Sequence, residues 1–458
     1  MQNPSSLNGP SSRREFLKKT TLASAAIAAA PLLRPTLYGQ APSANVAGAN
    51  NRIVVGYIGV GGQGLNAHVK IMQTNATAHN IAQAAVCDVW QKRVDIAKGI
   101  IGGDCKGYTD YRKLLEQKDI DAVVIATHDP IHAPASIAAL DAGKHVYCEK
   151  PITRYLDEAF AVRDAVQKTK KVFQVGSQGC SAAGWHKAAE LIKAGRIGTP
   201  VWAQGYYCRN NSKGEWNYNI DADFAGHPET INWDGWLGAV KNRPSLSPEH
   251  YFRWRKFYPY CAGLLGDLVP HRLFPLVLAT GNPEFPKRVV CVGTKNVHSD
   301  KNRDDGASVR DVPEHTEIIA EFPSGLTLVI AASSVAAKSP GFVIYGHHAS
   351  LEIGTSGEKV SLIPEKEFGD EVDPESFDGL QPTEDIGAHH KNWLDCIRSG
   401  AEPNANIDLA TKVQTVISLA EMSDRLGAAC LFDEKTRKIT TVGGQEMKPI
   451  TYGTLDLS

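Results

Sequence analysis

The sequence lacks a charge excess of either sign: 49 Lys and Arg face 50 Asp and Glu, a formal net charge of −1 over 458 residues. A nucleic-acid binder needs a basic surplus where it meets phosphate, so no nucleic-acid partner is expected. No run of about 20 apolar residues occurs, which removes an ordinary membrane-spanning helix. Paired cysteines are missing too. Nine cysteines are scattered between Cys87 and Cys430, none in a C-x-x-C pair. An odd, unpaired set gives neither a zinc framework nor a closed disulfide framework. They read as small buried hydrophobes. No metal is expected either, because the pairs His347-His348 and His389-His390 are sequence neighbours, and neighbours diverge on a helix or a strand. What is present is ordinary globular composition, 42% hydrophobic and 22% charged, at a length that suits two domains.

The first fifty residues read as an address. Ser12-Arg13-Arg14-Glu15-Phe16-Leu17-Lys18-Lys19 precedes an Ala-rich stretch from Leu22 to Ala30. A basic region followed by a short apolar region is a signal peptide and not part of the fold. The Arg13-Arg14 pair with Phe16-Leu17-Lys18 resembles a twin-arginine export signal, which implies the export machinery as a partner and a periplasmic or otherwise exported location. Cleavage after Ala41 and cleavage after Ala49 are both open. A chain folded in the reducing cytoplasm before export needs no disulfides, in keeping with its cysteines.

Arg52 to Gly59 is a β-branched run read as a buried strand. It leads into Gly59-Val60-Gly61-Gly62-Gln63-Gly64, and helical spacing follows from Leu65. In a G-x-G-x-x-G between strand and helix, Gly59 permits the tight turn. Gly61 lets the backbone approach a pyrophosphate, and Gly64 lets helix and strand pack closely. The helix N-terminus then offers its dipole to the phosphates. A second strand, Ala84 to Asp88, ends in an acid 24 residues beyond Gly64. An acid there binds a ribose 2′-hydroxyl and repels a 2′-phosphate, which favours NAD over NADP; Arg93 nearby tempers this. Alternating units follow: strands at Asp121–Thr127, His145–Lys150 and Lys171–Gly176, helices at Ala133–Ala142 and Leu156–Thr169. They predict a doubly wound parallel sheet. Thr127, His128, Asp129, His132, Glu149, Lys150 and Gln178 fall at the strand ends where such sheets bind ligands.

These motifs carry a specific resemblance. The glycine turn, Asp88, A-T-H-D-P-I-H-A (Ala126 to Ala133) and A-G-K-H-V-Y-C-E-K-P (Ala142 to Pro151) are similar to the Gfo/Idh/MocA family of glucose–fructose oxidoreductases and inositol dehydrogenases. So are Ile231 to Gly238, Phe252-Arg253-Trp254-Arg255, Gly266-Asp267-x-x-x-His271 and His389 to Cys396. The resemblance implies an N-terminal Rossmann domain (50–176, after a leader and linker over 1–49) that holds the cofactor through Gly59, Gly61, Gly62, Gln63, Gly64, Asp88, Thr127, Asp129, His132, Glu149 and Gln178. It implies a C-terminal α/β domain (177–458) with a large open, mostly antiparallel sheet and a late helix over 388–399 packed back on the core. Dimers or tetramers through that sheet are implied as well. Lys150 is implied to contact the reacting hydroxyl, with Glu149 orienting it or the nicotinamide ribose. Asp267 and His271 are implied to bind substrate and move its proton, though Leu268, Val269, Pro270 and Phe274 depart from the usual pattern around them.

In the second half, strands are expected at Thr199–Tyr207, Val289–Thr294, His315–Phe322 and Leu326–Ala332, separated by turns such as Pro323-Ser324-Gly325. Asp267 and His271 share a face if helical, with Pro270 confined to a first turn. Five of the eight tryptophans lie between Trp202 and Trp254, as sugar-stacking platforms or as packing. The leading expectation is an NAD-dependent oxidoreductase acting on a sugar or cyclitol hydroxyl, with Lys150, His271 and Asp267 as its catalytic residues. An exported enzyme meets no free NAD pool, so the cofactor is expected to stay bound and be recycled. Alternatives are an NAD-dependent glycosidase working by transient oxidation and elimination, and a non-catalytic NAD-binding protein.

Overall fold

The computed structural model describes residues 51–225, 228–298, 310–382 and 385–455. The leader and both candidate cleavage points lie outside them. Six strands form a parallel sheet: β1 (Ile53–Ile58), β2 (Ile81–Cys87), β3 (Lys106–Tyr108), β4 (Ala122–Ile125), β5 (His145–Glu149) and β6 (Phe173–Gly176), in the order β3-β2-β1-β4-β5-β6. Helices α1 (Lys70–Asn75), α2 (Gln91–Ile101), α3 (Tyr111–Leu115), α4 (Asp129–Asp141) and α5 (Leu156–Thr169) fill the successive crossovers. The central strands are short β-branched runs with nearly every residue buried, as a sheet covered on both faces requires. Strand order reverses between β1 and β4, which opens the binding crevice at their carboxyl ends.

Three features of this half differ from the sequence reading. β2 begins at Ile81: Gln83 interrupts the apolar run but still pairs with Val55 of β1, and the register shifts only after it, to Ala85 opposite Gly56. β3 was not foreseen, since its Lys-Gly-Tyr has no apolar pattern and sits at the sheet edge. The helix after the glycine turn opens as a π-helix over Gly64–Val69 before α1.

The second sheet has eleven strands and is mixed, mostly antiparallel, as expected. Its middle is β7 (Pro200–Cys208), β8 (Arg288–Thr294), β9 (His315–Glu321) and β10 (Thr327–Ser333), and β7 runs parallel to β10. The strands β11 (Phe342–Gly346), β12 (Ala349–Ile353), β13 (Val360–Pro364) and β14 (Glu375–Phe377) extend it beyond β7. Beyond β8 come β15 (Cys430–Asp433), β16 (Lys438–Thr440) and β17 (Glu446–Met447). These outer strands are too short to stand out in the sequence pattern.

Helix α6 (Ala183–Lys193) links the two sheets in sequence. Short helices α7 (Trp233–Leu237), α8 (Pro248–Phe252) and α9 (Leu264–Asp267) precede α10 (Pro270–Ala279). The late helix α11 (Ile386–Ser399) starts two residues earlier than expected, because Asp385 caps it by accepting from Ala388 N–H at 2.8 Å. It returns to the nucleotide half, where Trp393 and Leu394 pack with Val69, Met72 and Tyr147. Helix α12 (Ile407–Leu426) is capped by Asn406 and ends at Gly427 in the left-handed conformation. It lies against α5 and β8 and so joins the halves, and residues 51–458 form one compact unit. No helix among the described residues is long and apolar enough to cross a membrane.

A buried ion pair fixes that junction. Arg154, four residues beyond Lys150, meets both carboxylate oxygens of Glu421 on α12 at 2.7 and 2.8 Å and donates to the Tyr258 carbonyl. Removing one partner of such a pair strands the other charge in the interior. Glu421 keeps a second cation, Arg425 at 2.8 Å, so Arg154→Met is expected to destabilise the protein by about 1.5–3 kcal/mol, the loss of hydrogen bonds to a charged group, read as a lower chemical-denaturation midpoint.

Candidate active site

The glycine turn is built on steric necessity. Gly59 has φ +86°, and a side chain there would meet the Ala126 carbonyl carbon at 2.7 Å. A Cβ on Gly64 would collide with the Gly59 carbonyl oxygen, whereas one on Gly62 meets nothing within 4 Å. Asp88, at the end of β2, accepts from Val60 N–H and from Trp90 N–H at 3.0 Å each. It thus pins the glycine turn to the next strand end and is no helix cap. Burial pushes its carboxyl up, against the pull of Arg93 and the two N–H groups. The Arg93 guanidinium is 4.0 Å from Asp88 and lies over the Tyr251 ring at 4.9 Å.

These groups line a cavity of about 490 Å³ with Gly59, Gly61, Gly62, Gln63, Thr127 and His128. Residues between β7 and α9 cover it. Ile231 bridges to Trp90, and Asn232 N–H donates to the Val89 carbonyl at 2.8 Å. Lys92 binds Asp221 and Asp223 at 2.8 Å each, and Trp236 stacks on His128 at 3.9 Å.

A second cavity, of about 270 Å³, shares Gln63, Thr127, Tyr218, Trp254 and Arg255 with the first. Lys150, Asp129, Glu149, Asp267 and His271 line it, with Tyr207 and Arg209. Here Asp267 is the hub. Lys150 Nζ reaches Asp267 Oδ1 at 2.8 Å and the Asp267 carbonyl at 2.7 Å. Arg255 Nε lies 3.0 Å from Oδ1, and Trp216 Nε1–H donates to Oδ2 at 2.7 Å. Burial alone would raise this carboxyl, but Arg255 and Lys150 outweigh it and hold it far below the usual carboxylate range. Oδ1 carries both cations and Oδ2 accepts from Trp216, so Asp267 holds Lys150 at the wall of the cavity that both line. It ends α9, and His271 follows in the first turn of α10, where Pro270 takes the first position. The two are on separate helices but share the cavity.

His271 tilts against Tyr207 at 5.5 Å. Burial, then Lys150, lowers its imidazole to about 3, so the ring is neutral at pH 7. Glu149 Oε1 lies 2.9 Å from His68 Nε2 and accepts from Gln63 Nε2 at 3.1 Å. Burial opposes its ionisation, yet His68 and Lys150 hold it at about 2. Asp129 goes the other way: burial raises it to about 7, and its Oδ2 has no partner.

Not every residue singled out in the sequence reaches a cavity. His132 lies behind, bridging the carbonyls of Pro151 and Thr127 at 2.7 and 3.2 Å. Gln178 starts a short 3₁₀ turn after β6, and Gly64 supports the turn from beneath; neither lines either cavity. Among the tryptophans, Trp254 lines both cavities and Trp216 serves Asp267, while Trp202 stacks on Tyr345 at 4.0 Å as packing. Arg255, Trp216, Arg209 and His68 were not foreseen as site residues. Only Arg255, inside the Phe252 to Arg255 motif, had a sequence signal. Among the described residues no group of three or more His, Cys, Asp or Glu is placed to hold a metal.

Residues 53–177 match the family model described as an oxidoreductase family with an NAD-binding Rossmann fold, GFO_IDH_MocA. An inositol 2-dehydrogenase of Salmonella paratyphi B is 31% identical over 151 residues, 33% of this chain and 44% of that protein. Inositol 2-dehydrogenase 3 of Saccharopolyspora erythraea is 31% identical over 183 residues, 39% of this chain and 52% of that protein. The chain thus spans about half the length of these curated relatives. Over nearly whole chains, the fold is shared with a levoglucosan dehydrogenase solved with NADH and levoglucosan (TM-score 0.64, 19% identity, 82% of this chain and 98% of that one). It is also shared with an aldose-aldose oxidoreductase of Caulobacter crescentus (TM-score 0.61, 18% identity, 83% of this chain and 100% of that one).

The glycine turn yields a contrast. Gly62→Ala is expected to leave the melting temperature unchanged within about 0.5 kcal/mol of stability, while Gly64→Ala loses about 1–3 kcal/mol or more. Thermal melts of the two variants measure it.

Proposed function

We propose that the protein is an NAD-dependent oxidoreductase of the Gfo/Idh/MocA family that acts on a CH–OH group of a sugar or cyclitol. The observation that carries this reading is the junction of the two cavities: a glycine-turn crevice opens directly onto a pocket containing Lys150, Asp267 and His271. The crevice residues fit a dinucleotide. The turn admits no side chain at Gly59 or Gly64, and the Asp88 carboxylate faces the same cavity, where it disfavours a 2′-phosphate and so supports NAD over NADP. Bound there, the cofactor supplies hydride acceptance and return.

The chain's own groups do the rest. Asp267 and Arg255 fix Lys150 at the pocket wall, where its ammonium can hold the substrate oxygen. Neutral His271 has a lone pair for the hydroxyl proton. Glu149, charged and fixed, orients what lies between the cavities. Levoglucosan dehydrogenase and the inositol dehydrogenases bear names for the same substrate class.

The cover supports retention of the cofactor. Two ion pairs, a backbone bridge and a ring stack hold it over the crevice, so release requires breaking several contacts at once. Retained cofactor suits an exported, twin-arginine-type enzyme that recycles its own NAD, and the leader supports that location. The open sheet supports a dimer or tetramer. Asp129 favours a second reading: a pocket carboxyl raised to about 7 is the further acid–base group that an oxidation–elimination glycosidase requires.

Three experiments test this. Lys150→Met and His271→Gln are each expected to cut turnover of the responsive sugar or cyclitol by about 10²–10⁴-fold; unchanged turnover in both removes the catalytic assignment. Denaturing protein purified without added nucleotide is expected to release stoichiometric NAD(H). Trp236→Ala, which removes the ring stacked on His128, is expected to speed NADH release by about tenfold in a fluorescence chase, because losing a contact of about 1.4 kcal/mol is a tenfold change, while Lys92→Ala, which breaks exposed ion pairs, has the smaller effect. An empty purified protein returns the reading to a freely exchanging dehydrogenase.

A further inference from the structure

Behind Glu149 runs a hydrogen-bonded chain that the scheme above leaves unused. Glu149 Oε1 meets His68 Nε2 at 2.9 Å, and His68 Nδ1 meets His390 Nε2 at 2.9 Å. The three residues are 7%, 0% and 1% exposed. His68 stands on the π-helical turn after the glycine motif, and His390 stands on α11, 322 residues further along the chain. There the chain of bonds stops, because His390 Nδ1 is buried without a partner.

The neighbours of the dyad are accounted for. Tyr147 on β5 meets both rings edge-on at 5.2 Å. Lys150 adjoins Glu149. His79, after α1, faces His390. His389 is committed elsewhere: its Nε2–H donates to the Val175 carbonyl at 2.9 Å and its Nδ1 accepts from Ser181 at 2.6 Å.

The partners order the protons. An ionised carboxylate only accepts, so His68 Nε2 carries a proton. Were His68 Nδ1 also protonated, His390 Nε2 would have to accept. The His390 proton would then lie on Nδ1, as an orphan N–H beside an added buried charge, a costly arrangement. The alternative leaves only a bare lone pair on that nitrogen. His390 Nε2–H therefore donates to His68 Nδ1, and His68 Nε2–H donates to Glu149.

We propose that His68 and His390 are positioning residues for Glu149: His390 fixes the His68 tautomer, and His68 keeps the Glu149 carboxylate charged and aimed at the junction of the two cavities. Helix α11, from the far end of the chain, is thereby a working part of the cofactor site. What Glu149 faces rests on the cofactor reading above; the tautomer does not.

The test is long-range ¹H–¹⁵N correlation of the histidine rings in the full-length holoprotein, assigned with single variants. The wild type is expected to show the ring protons of His68 and His390 on Nε2, with Nδ1 of each bare. His390→Phe removes the donor and is expected to shift the His68 ring signals, and to weaken NADH binding about fivefold, the loss of one hydrogen bond between neutral groups. His390→Gln restores an amide donor and is expected to recover both. If His390→Phe does not fold, His68→Gln takes its place, with His390 then expected to lose its fixed Nε2 proton. A His68 protonated on Nδ1 in the wild type, or His68 signals unmoved in folded His390→Phe, overturns the proposal. The expected ring signals together with no NADH binding by the wild type would leave the dyad standing and sink the cofactor reading instead.

Discussion

Three donors from three parts of the chain converge on the Asp267 carboxylate. Lys150 comes from the end of a Rossmann strand, Arg255 from the segment that covers the crevice, and Trp216 from the long connection after β7. Burying a carboxylate without such partners is prohibitive, so the charge is stable there only with the donors in place. The converse also holds. Lys150 is nearly buried, and without Asp267 its ammonium would lack its counter-charge. One side chain therefore fixes Lys150, the cover and the second half of the chain relative to one another. This explains why the second cavity lies at the meeting point of all three.

The cover adds what the sheet alone cannot. An open doubly wound sheet binds a dinucleotide at its rim, exposed to exchange. Here an aromatic cluster of Trp90, Phe224, Trp236, Tyr251 and Phe252 sits across that rim. Such a cluster excludes water, which strengthens the electrostatic contacts within the crevice. The same exclusion sets the burial effects on the titratable groups: it raises Asp88 and Asp129 and lowers His271, while paired charges reverse it at Glu149 and Asp267. Environments that push neighbouring groups apart in this way are what acid–base chemistry needs.

Local pattern made the first half legible. Strand, glycine turn and helix follow one another within a dozen residues, and the strand ends carry their ligands next to β-branched runs. The sterics of Gly59 and Gly64 could be read from spacing alone. What escaped was non-local. No spacing links Trp216 to Asp267 or His68 to His390, because the contacts close across tens to hundreds of residues. The adjacent histidines of α11 looked idle as a metal pair, since neighbours diverge on a helix. That divergence is what sends His389 to Val175 and His390 to His68. The π-helical turn was likewise invisible, as it changes hydrogen bonding without changing the apolar pattern. Strands β11 to β17 escaped for a plainer reason: two to five residues each, they carry too little alternation to register.

Besides Asp267, other walls of the pocket face whatever binds there. Tyr207, Arg209, Tyr218 and Trp254 remain around Lys150 and His271. Arg209 is bound to the buried Glu215 at 2.8 Å and is itself partly exposed, so it presents a held guanidinium at the pocket wall. Tyr218 and Trp254 offer apolar faces, and Trp254 already lies against Arg255 at 4.2 Å. A ring with hydroxyls at its edge and C–H bonds on its face matches this arrangement, the face on the aromatics and the edge toward Lys150. The charged hub is thus rigid, and the wall around it supplies the surfaces that a bound ring would meet, so fit to that ring is set by side chains other than those that hold Lys150.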